Sequence, residues 1–343
     1  MKKALVIGID DYPGQPLNCC VRDATEVADL LRSNEDGSPN FEVELLTSTK
    51  ADLSNRGLVQ AVSRFFKSNV RAETAVLYFA GHGIINPQTD AGYLVGADGG
   101  RGAWGMSLWE LLGLANEAHR TITSSVIILD CCHAGHLGEV TGSSEGGASV
   151  VGKGVTILSS CNDDERSKEV VGQHGVFTDL LLDALRGGCA DICGSITPAS
   201  VYSHIDQALG AFDQRPLYKA NVQRFVTLRQ VLPRVKPEIL RRLPTYFPDP
   251  DGMKSLDPSY EPDRQNVPER FRHLPTNAEH AAVFKDLQKF NRQGLVVPVN
   301  YNEQGIVSAV PVEDMYTAAM ESTGCELTAL GRHYRRLTLR NKI

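Results

Sequence analysis

Thr74-Ala75-Val76-Leu77-Tyr78-Phe79-Ala80-Gly81-His82-Gly83 is a continuous apolar run that stops on a histidine set between two glycines. A second run, Ser124-Ser125-Val126-Ile127-Ile128-Leu129-Asp130-Cys131-Cys132-His133, stops on an acid, two cysteines and a histidine. Short apolar runs of this kind, bounded by turn residues, suit strands buried on both faces. Such strands are mostly parallel and joined by helices, and ligands bind beyond their carboxyl ends. If these two strands are neighbours, His82 and Cys132 face each other there.

The rest of the first two thirds of the chain fits around this pair. Residues 4–9, 41–46, 155–159 and 222–228 also read as strands. Helical spacing of apolar residues runs through 20–32, 58–66, 108–118, 177–185 and 198–209. Strand-helix alternation predicts an α/β domain over 1–232, with a mostly parallel six-stranded sheet flanked by helices. Residues 134–154 break the pattern, being rich in Gly and Ser, and read as a loop after the fourth strand.

The pattern changes again near residue 233. Residues 233–276 carry many prolines without a clear period and read as a linker. A small α+β unit is expected over 277–343. Asn277 caps a helix over 278–290, and Gly294 closes it. Strands are expected at 295–299 and 305–312, and helices at 314–320 and 327–336. Two domains suit 343 residues better than one.

Composition narrows the class. The chain is 42% hydrophobic and 22% charged with a net charge of −6, as in soluble globular proteins and unlike a general nucleic-acid binder. The charge is uneven: 15 basic against 14 acidic residues from Lys236 onward, and 20 against 27 before it. The first part therefore favours basic partners. The apolar run at the N-terminus is too short for a secretory signal and ends in Asp10. No stretch approaches the ~20 apolar residues of a membrane span, so a cytoplasmic protein without a membrane partner is expected. Eight cysteines, four of them in the adjacent pairs Cys19-Cys20 and Cys131-Cys132, do not make a disulfide scaffold.

The chemistry open to His82 and Cys132 is nucleophilic. A thiolate attacks, an imbedded imidazole takes its proton, and the same imidazole can later protonate a leaving amine. The backbone N–H groups of Gly83 and Cys132 are the candidates for an oxyanion hole. His82 taken alone would read better as a satisfied loop histidine; the paired motifs point to catalysis. Cys131 reads as a small buried hydrophobe, and His133 as structural, because neighbours at a strand end point apart. Cys131, Cys132 and His133 have poor spacing for zinc, and Cys189 with Cys193 has no visible partner pair. No metal or cofactor is therefore assigned. Gly8-Ile9-Asp10 is not a dinucleotide-binding turn.

These motifs resemble the caspase and metacaspase superfamily of cysteine peptidases. That family places a His-Gly after one strand and its cysteine after the next, about 50 residues on, and here His82 and Cys132 are 50 apart. Asp130-Cys131-Cys132-His133-Ala134-Gly135 is similar to the metacaspase Asp-x-Cys-His-Ser-Gly, with Ala134 for serine. Leu17-Asn18-Cys19-Cys20-Val21-Arg22-Asp23-Ala24 is similar to Leu-x-Gly-Cys-x-Asn-Asp-Ala, with Cys19 for glycine and Arg22 for asparagine. Leu5 to Tyr12, 154–160, 163–165 and His174-Gly175-Val176-Phe177-Thr178 also match the family, over about residues 1–230 in all.

The resemblance implies a cysteine endopeptidase with His82 and Cys132 as catalytic pair. It also implies an S1 pocket lined by Asp23 and Asp130, which selects Arg or Lys by charge-assisted hydrogen bonds. The family's serine two residues before the histidine is Ala80 here. Calcium activates many metacaspases and takes oxygen ligands; Asp163, Asp164 and Glu165 are unassigned candidates. The loop 134–154 lies where the family is processed, but its only basic residue, Lys153, abuts the fifth strand, so self-cleavage is not expected.

Residues 277–343 resemble a winged-helix module. Its basic residues Arg332, Arg335, Arg336, Arg340 and Lys342 would serve DNA binding, but near-neutral charge favours an activator or adaptor protein. The implied setting is bacterial stress or defence signalling. The alternatives are a DNA- or protein-binding scaffold with a non-catalytic peptidase fold, or an inactive peptide-binding relative.

Overall fold

The computed structural model describes residues 1–89, 91–99, 104–131, 151–160, 174–210, 215–262, 269 and 272–343. The chain divides into two compact units, Met1–Leu232 and Pro233–Ile343.

The first unit runs β1 (Lys2–Gly8), α1 (Cys20–Arg32), β2 (Glu42–Thr47), α2 (Asn55–Lys67), β3 (Ala72–Ala80), β4 (Gly83–Asn86), β5 (Ala91–Leu94), β6 (Met106–Ser107) and α3 (Leu108–Glu117). It continues with β7 (Ile122–Asp130), β8 (Val155–Ser159), α4 (Val176–Asp183), β9 (Ser195–Ile196), α5 (Pro198–Leu209), β10 (Leu217–Ala220) and β11 (Arg229–Gln230). Six strands form one sheet in the order β10-β8-β7-β3-β1-β2. All its pairings are parallel except β10 on β8. The expected six-stranded, mostly parallel sheet is therefore present, and β3 and β7 are neighbours.

Alternation of side chains explains the layers. On β1, β3 and β7 the odd-numbered Leu5, Ile7, Leu77, Phe79, Ile127 and Leu129 face one core with Leu58, Val62 and Phe66 of α2 and Leu111 of α3. The even-numbered Val6, Val76, Tyr78, Val126 and Ile128 face a second core with Ala24 and Val27 of α1, Leu181 of α4 and Val201 of α5. Both faces are dry, which is why these strands lack polar alternation. Each such buried Leu, Ile or Phe contributes roughly 1.5–3 kcal/mol against entropy.

The sixth strand differs from its expectation. It is β10 at Leu217–Ala220, not 222–228. Val226 and Leu228 are buried, but Val222 and Phe225 are exposed, so the segment caps the second core without joining the sheet. Two small sheets were not anticipated: β4-β5-β6, antiparallel, and the pair β9 with β11. Their strands have two to four residues, too few to show a period.

The second unit contains α6 (Pro237–Leu240), α7 (Leu243–Tyr246), β12 (Met253–Ser255), α8 (Ala278–Arg292), β13 (Val296–Val299), α9 (Met315–Met320), β14 (Gly324–Leu327) and α10 (Ala329–Leu339). Its three-stranded antiparallel sheet has the order β12-β14-β13. The linker expectation is thus corrected: over its described residues, 233–262 supplies two helical turns and an edge strand to this unit. Its prolines misled because Pro237, Pro244 and Pro258 start short helical turns, where a missing N–H costs nothing. The expected strand at 305–312 is reduced to one bridge, Tyr301 to Val307, and the second long strand is β14. The unit thus combines helices with a small antiparallel sheet.

Candidate active site

The site is built at the carboxyl end of β3 and β7. Ala80 is the register partner of Asp130, and the Gly81 N–H donates to the Asp130 carbonyl at 3.4 Å. His82 follows Ala80 by two residues, as Cys132 follows Asp130 in sequence. Cys132, His133, the loop to 150 and Asp163, Asp164 and Glu165 lie outside the described residues.

His82 is held by Tyr12 and Gln15, in the segment between β1 and α1. The Tyr12 hydroxyl accepts the His82 backbone N–H at 3.0 Å and donates to the Val95 carbonyl at 3.1 Å. The Tyr12 ring packs against the imidazole, with centroids 4.5 Å apart. Gly81 is a close-approach position: a Cβ there would come within 2.4 Å of the Tyr12 hydroxyl. Burial raises the Tyr12 phenol far above its ordinary value, so it stays a neutral donor.

The imidazole Nε2 lies 2.8 Å from the Gln15 carbonyl oxygen. A carbonyl only accepts, so Nε2 carries the hydrogen and a neutral ring presents Nδ1 as its lone pair. Gln15 donates its own N–H to the Tyr12 carbonyl at 3.3 Å, in a loop anchored by Asp10. The Asp10 carboxylate accepts the Cys20 and Val21 N–H groups at 2.8 and 3.3 Å, capping α1 from ten residues upstream. The Asp10 carbonyl accepts from Tyr12 and Leu17, closing the loop that presents Gln15. Burial raises the Asp10 carboxyl, against the opposite pull of those N–H groups.

Asp23 and Asp130 come together on the α1–α4 face. Asp23 lies on the buried side of α1 and is 2% exposed. Asp130 shares the even-numbered face of β7 that meets α1 and α4. A Cβ built on Gly175 would lie 3.3 Å from Asp130 Oδ2 and 3.6 Å from Asp23 Oδ2. Both carboxyls therefore lie close to the one backbone position of Gly175, where a side chain would crowd the Asp130 oxygen. Thr178 donates to Asp130 Oδ2 at 2.6 Å, which leaves the Tyr78 hydroxyl to donate to Thr178 at 2.7 Å. Gly175 N–H donates to Asp23 Oδ2 at 3.3 Å. Desolvation raises the Asp23 carboxyl despite its hydrogen bonds to His174 and Gly175. Tyr78 is raised well above its usual value by burial, then by the charges of Asp130 and Asp23.

Gly83, the other expected donor of an oxyanion hole, opens β4 opposite Leu94. Among the described residues no cluster of three or more His, Cys, Asp or Glu suits a metal ion, and no disulfide joins two of the described cysteines. No helix among them is long and apolar enough to cross a membrane.

The profile of the Caspase domain family matches residues 1–226, about two thirds of the 343. The chain belongs to the caspase-domain family of cysteine peptidases. This caspase domain also has solved structural neighbours. A structural-genomics protein from Geobacter sulfurreducens aligns with a TM-score of 0.48 and 20% identity, over 67% of this chain and 99% of its own. Caspase-1 from Spodoptera frugiperda aligns with a TM-score of 0.47 and 11% identity, over 67% of this chain and 90% of its own. No curated protein sequence matches the chain. Sequence reading assigned no role to Tyr12, Gln15, Tyr78, His174 or Thr178. Gln15 acts through its backbone and leaves no signal in residue type, whereas His174 and Thr178 stood in a motif whose partners lie about 50 to 150 residues away.

Proposed function

We propose that the caspase domain is a cysteine endopeptidase that hydrolyses peptide bonds after Arg or Lys, with Cys132 as nucleophile and His82 as base and acid. The observation that carries the reading is the His82 imidazole, held by Tyr12 and the Gln15 carbonyl beside the strand whose carboxyl end leads into Cys132. The Cys132 thiol gives its proton to His82 Nδ1, and the thiolate forms a bond to the scissile carbonyl carbon. The oxyanion is met by the N–H groups of Gly83 and Cys132. The imidazolium then protonates the leaving amine as the C–N bond breaks. Water, deprotonated by His82, opens the resulting thioester and regenerates the thiol.

Specificity for basic residues rests on Asp23 and Asp130, whose carboxyls both lie close to Gly175 and would give a guanidinium charge-assisted hydrogen bonds. We assign the reaction no cofactor, since thiol, imidazole and backbone N–H groups complete it. The second unit is read as a module that recruits an activator or adaptor protein. Two of its expected DNA-contacting residues are engaged within the unit: Arg332 donates to the Leu327 carbonyl at 2.9 Å, and Arg335 to the Phe247 carbonyl at 2.7 Å. That supports protein over DNA as partner. A reducing cytoplasm and a stress or defence pathway are the setting proposed.

A peptidyl-arginine chloromethyl ketone tests the dyad. Its methylene carbon forms a bond to the Cys132 sulfur as chloride leaves. The expected result is one adduct, on Cys132, forming about 10²–10⁴ times more slowly in His82→Ala. Equal labelling of several cysteines, unchanged in that variant, would contradict it.

A further inference from the structure

His174 precedes α4 and lies between two acids of α1. Its Nδ1 is 2.5 Å from Asp23 Oδ1, and its Nε2 is 3.1 Å from Glu26 Oε1. A neutral imidazole has one N–H and can donate to only one of two carboxylates. Both contacts together require one further proton, held as imidazolium or shared with Asp23. The ring is 16% exposed and Asp23 2%, so this pair is largely shielded from water. The imidazole occupies the carboxylate that the proposed pocket would offer to a substrate's basic side chain.

We infer that His174 is a built-in occupant of the pocket, competing with a substrate's Arg or Lys side chain for Asp23. The inference rests on the reading of Asp23 and Asp130 as that pocket. Arg22, Asp23 and Glu26 of α1, Asp130 of β7 and Tyr78 of β3 are the described ionisable groups around this position. Glu26 is also held by Arg186 at 2.8 Å, which keeps it beside the ring. Asp130 remains bonded to Thr178, so the competition is for Asp23 alone. When a guanidinium takes Asp23, the extra proton held between the ring and its two acids is no longer required and goes to solvent. Binding of a basic side chain is therefore coupled to proton release and weakens in acid. The raised carboxyl of Asp23 acts in the same direction, because it too must be ionised to take the guanidinium.

The test is calorimetric titration of the full-length Cys132→Ala chain with an arginine peptide, in buffers of different ionisation enthalpy, from about pH 5.5 to 8 around the usual histidine range. The expected result is release of up to about one proton per peptide. In the same background His174→Gln should bind more tightly at the acid end, with most of the release gone. Glu26→Gln, which spares Asp23 and removes the second acid from the ring, should lessen the proton release and gives an independent reading if His174→Gln folds poorly. Tight binding of the arginine peptide with unchanged proton release in both variants would overturn the inference while leaving the pocket standing. No preference for arginine over a citrulline peptide at any pH, in any of these chains, would overturn the pocket and the inference with it.

Discussion

Asp23 is a carboxyl whose folded-state proton affinity is raised by burial, and the sign of its effect on stability follows. A raised acid favours the folded state when protonated. Its contribution falls as pH rises from the ordinary carboxylate range through the raised value, leaving a penalty at neutral pH. Asp23→Asn is therefore expected to melt no lower than the native chain at pH 7, with the difference shrinking toward about pH 4. The same variant should lose about 30-fold or more in kcat/KM on arginine substrates, since breaking a buried charge pair costs about 2–5 kcal/mol. Thermal melts and peptide kinetics on one preparation check both. Tyr12→Phe removes the hydroxyl that joins the His82 N–H to the Val95 carbonyl. Two buried backbone groups lose a partner, so a loss of about 1–3 kcal/mol is expected in denaturant unfolding, with a lower kcat. Gln15→Ala should leave both nearly unchanged, because the carbonyl and not the side chain holds His82. His82 was legible from its two glycines and its strand. Tyr12 and Gln15 were not, because their action depends on a loop folded around Asp10.

At the scale of elements, β3 and β7 were legible because both faces of each strand are buried, which leaves unbroken apolar runs. The α1 and α5 patterns were equally clear. β10 failed for the opposite reason: Leu217–Ala220 is a short, half-exposed edge strand, while 222–228 alternates apolar and polar residues without pairing in the main sheet. The N-terminus of α1 has no side-chain cap of its own at Cys19, and Asp10 serves from a distance. Asp10→Ala should cost about 1–2 kcal/mol, at the scale of a lost helix cap. It should also lower kcat by loosening the loop that carries Gln15. A stability loss with unaltered kcat would separate the cap from the site.

At the scale of the whole molecule, two units with their own sheets divide the chain between Leu232 and Pro233. Composition marked the change near that point, but proline content concealed that 233–262 is folded structure. A fragment covering 233–343 is expected to melt cooperatively by circular dichroism. A fragment starting at 277 is expected not to, since it lacks β12, the partner of β14, and the α7 turn whose Arg242 and Tyr246 bond Asp286 of α8 at 2.7 and 2.9 Å. Equal cooperativity of both would restore the linker reading. The family of the first unit was legible from two short motifs, whereas the second unit has no comparable signature in its residues.

The most direct test of the central claim is hydrolysis of matched fluorogenic peptides carrying Arg, Lys, Asp or Leu at P1, by the native chain and Cys132→Ala, with and without calcium. Cleavage after Arg and Lys, absent in the variant, is the predicted result. Cleavage after Asp alone would contradict the roles of Asp23 and Asp130, and cleavage undiminished in Cys132→Ala would contradict the nucleophile itself.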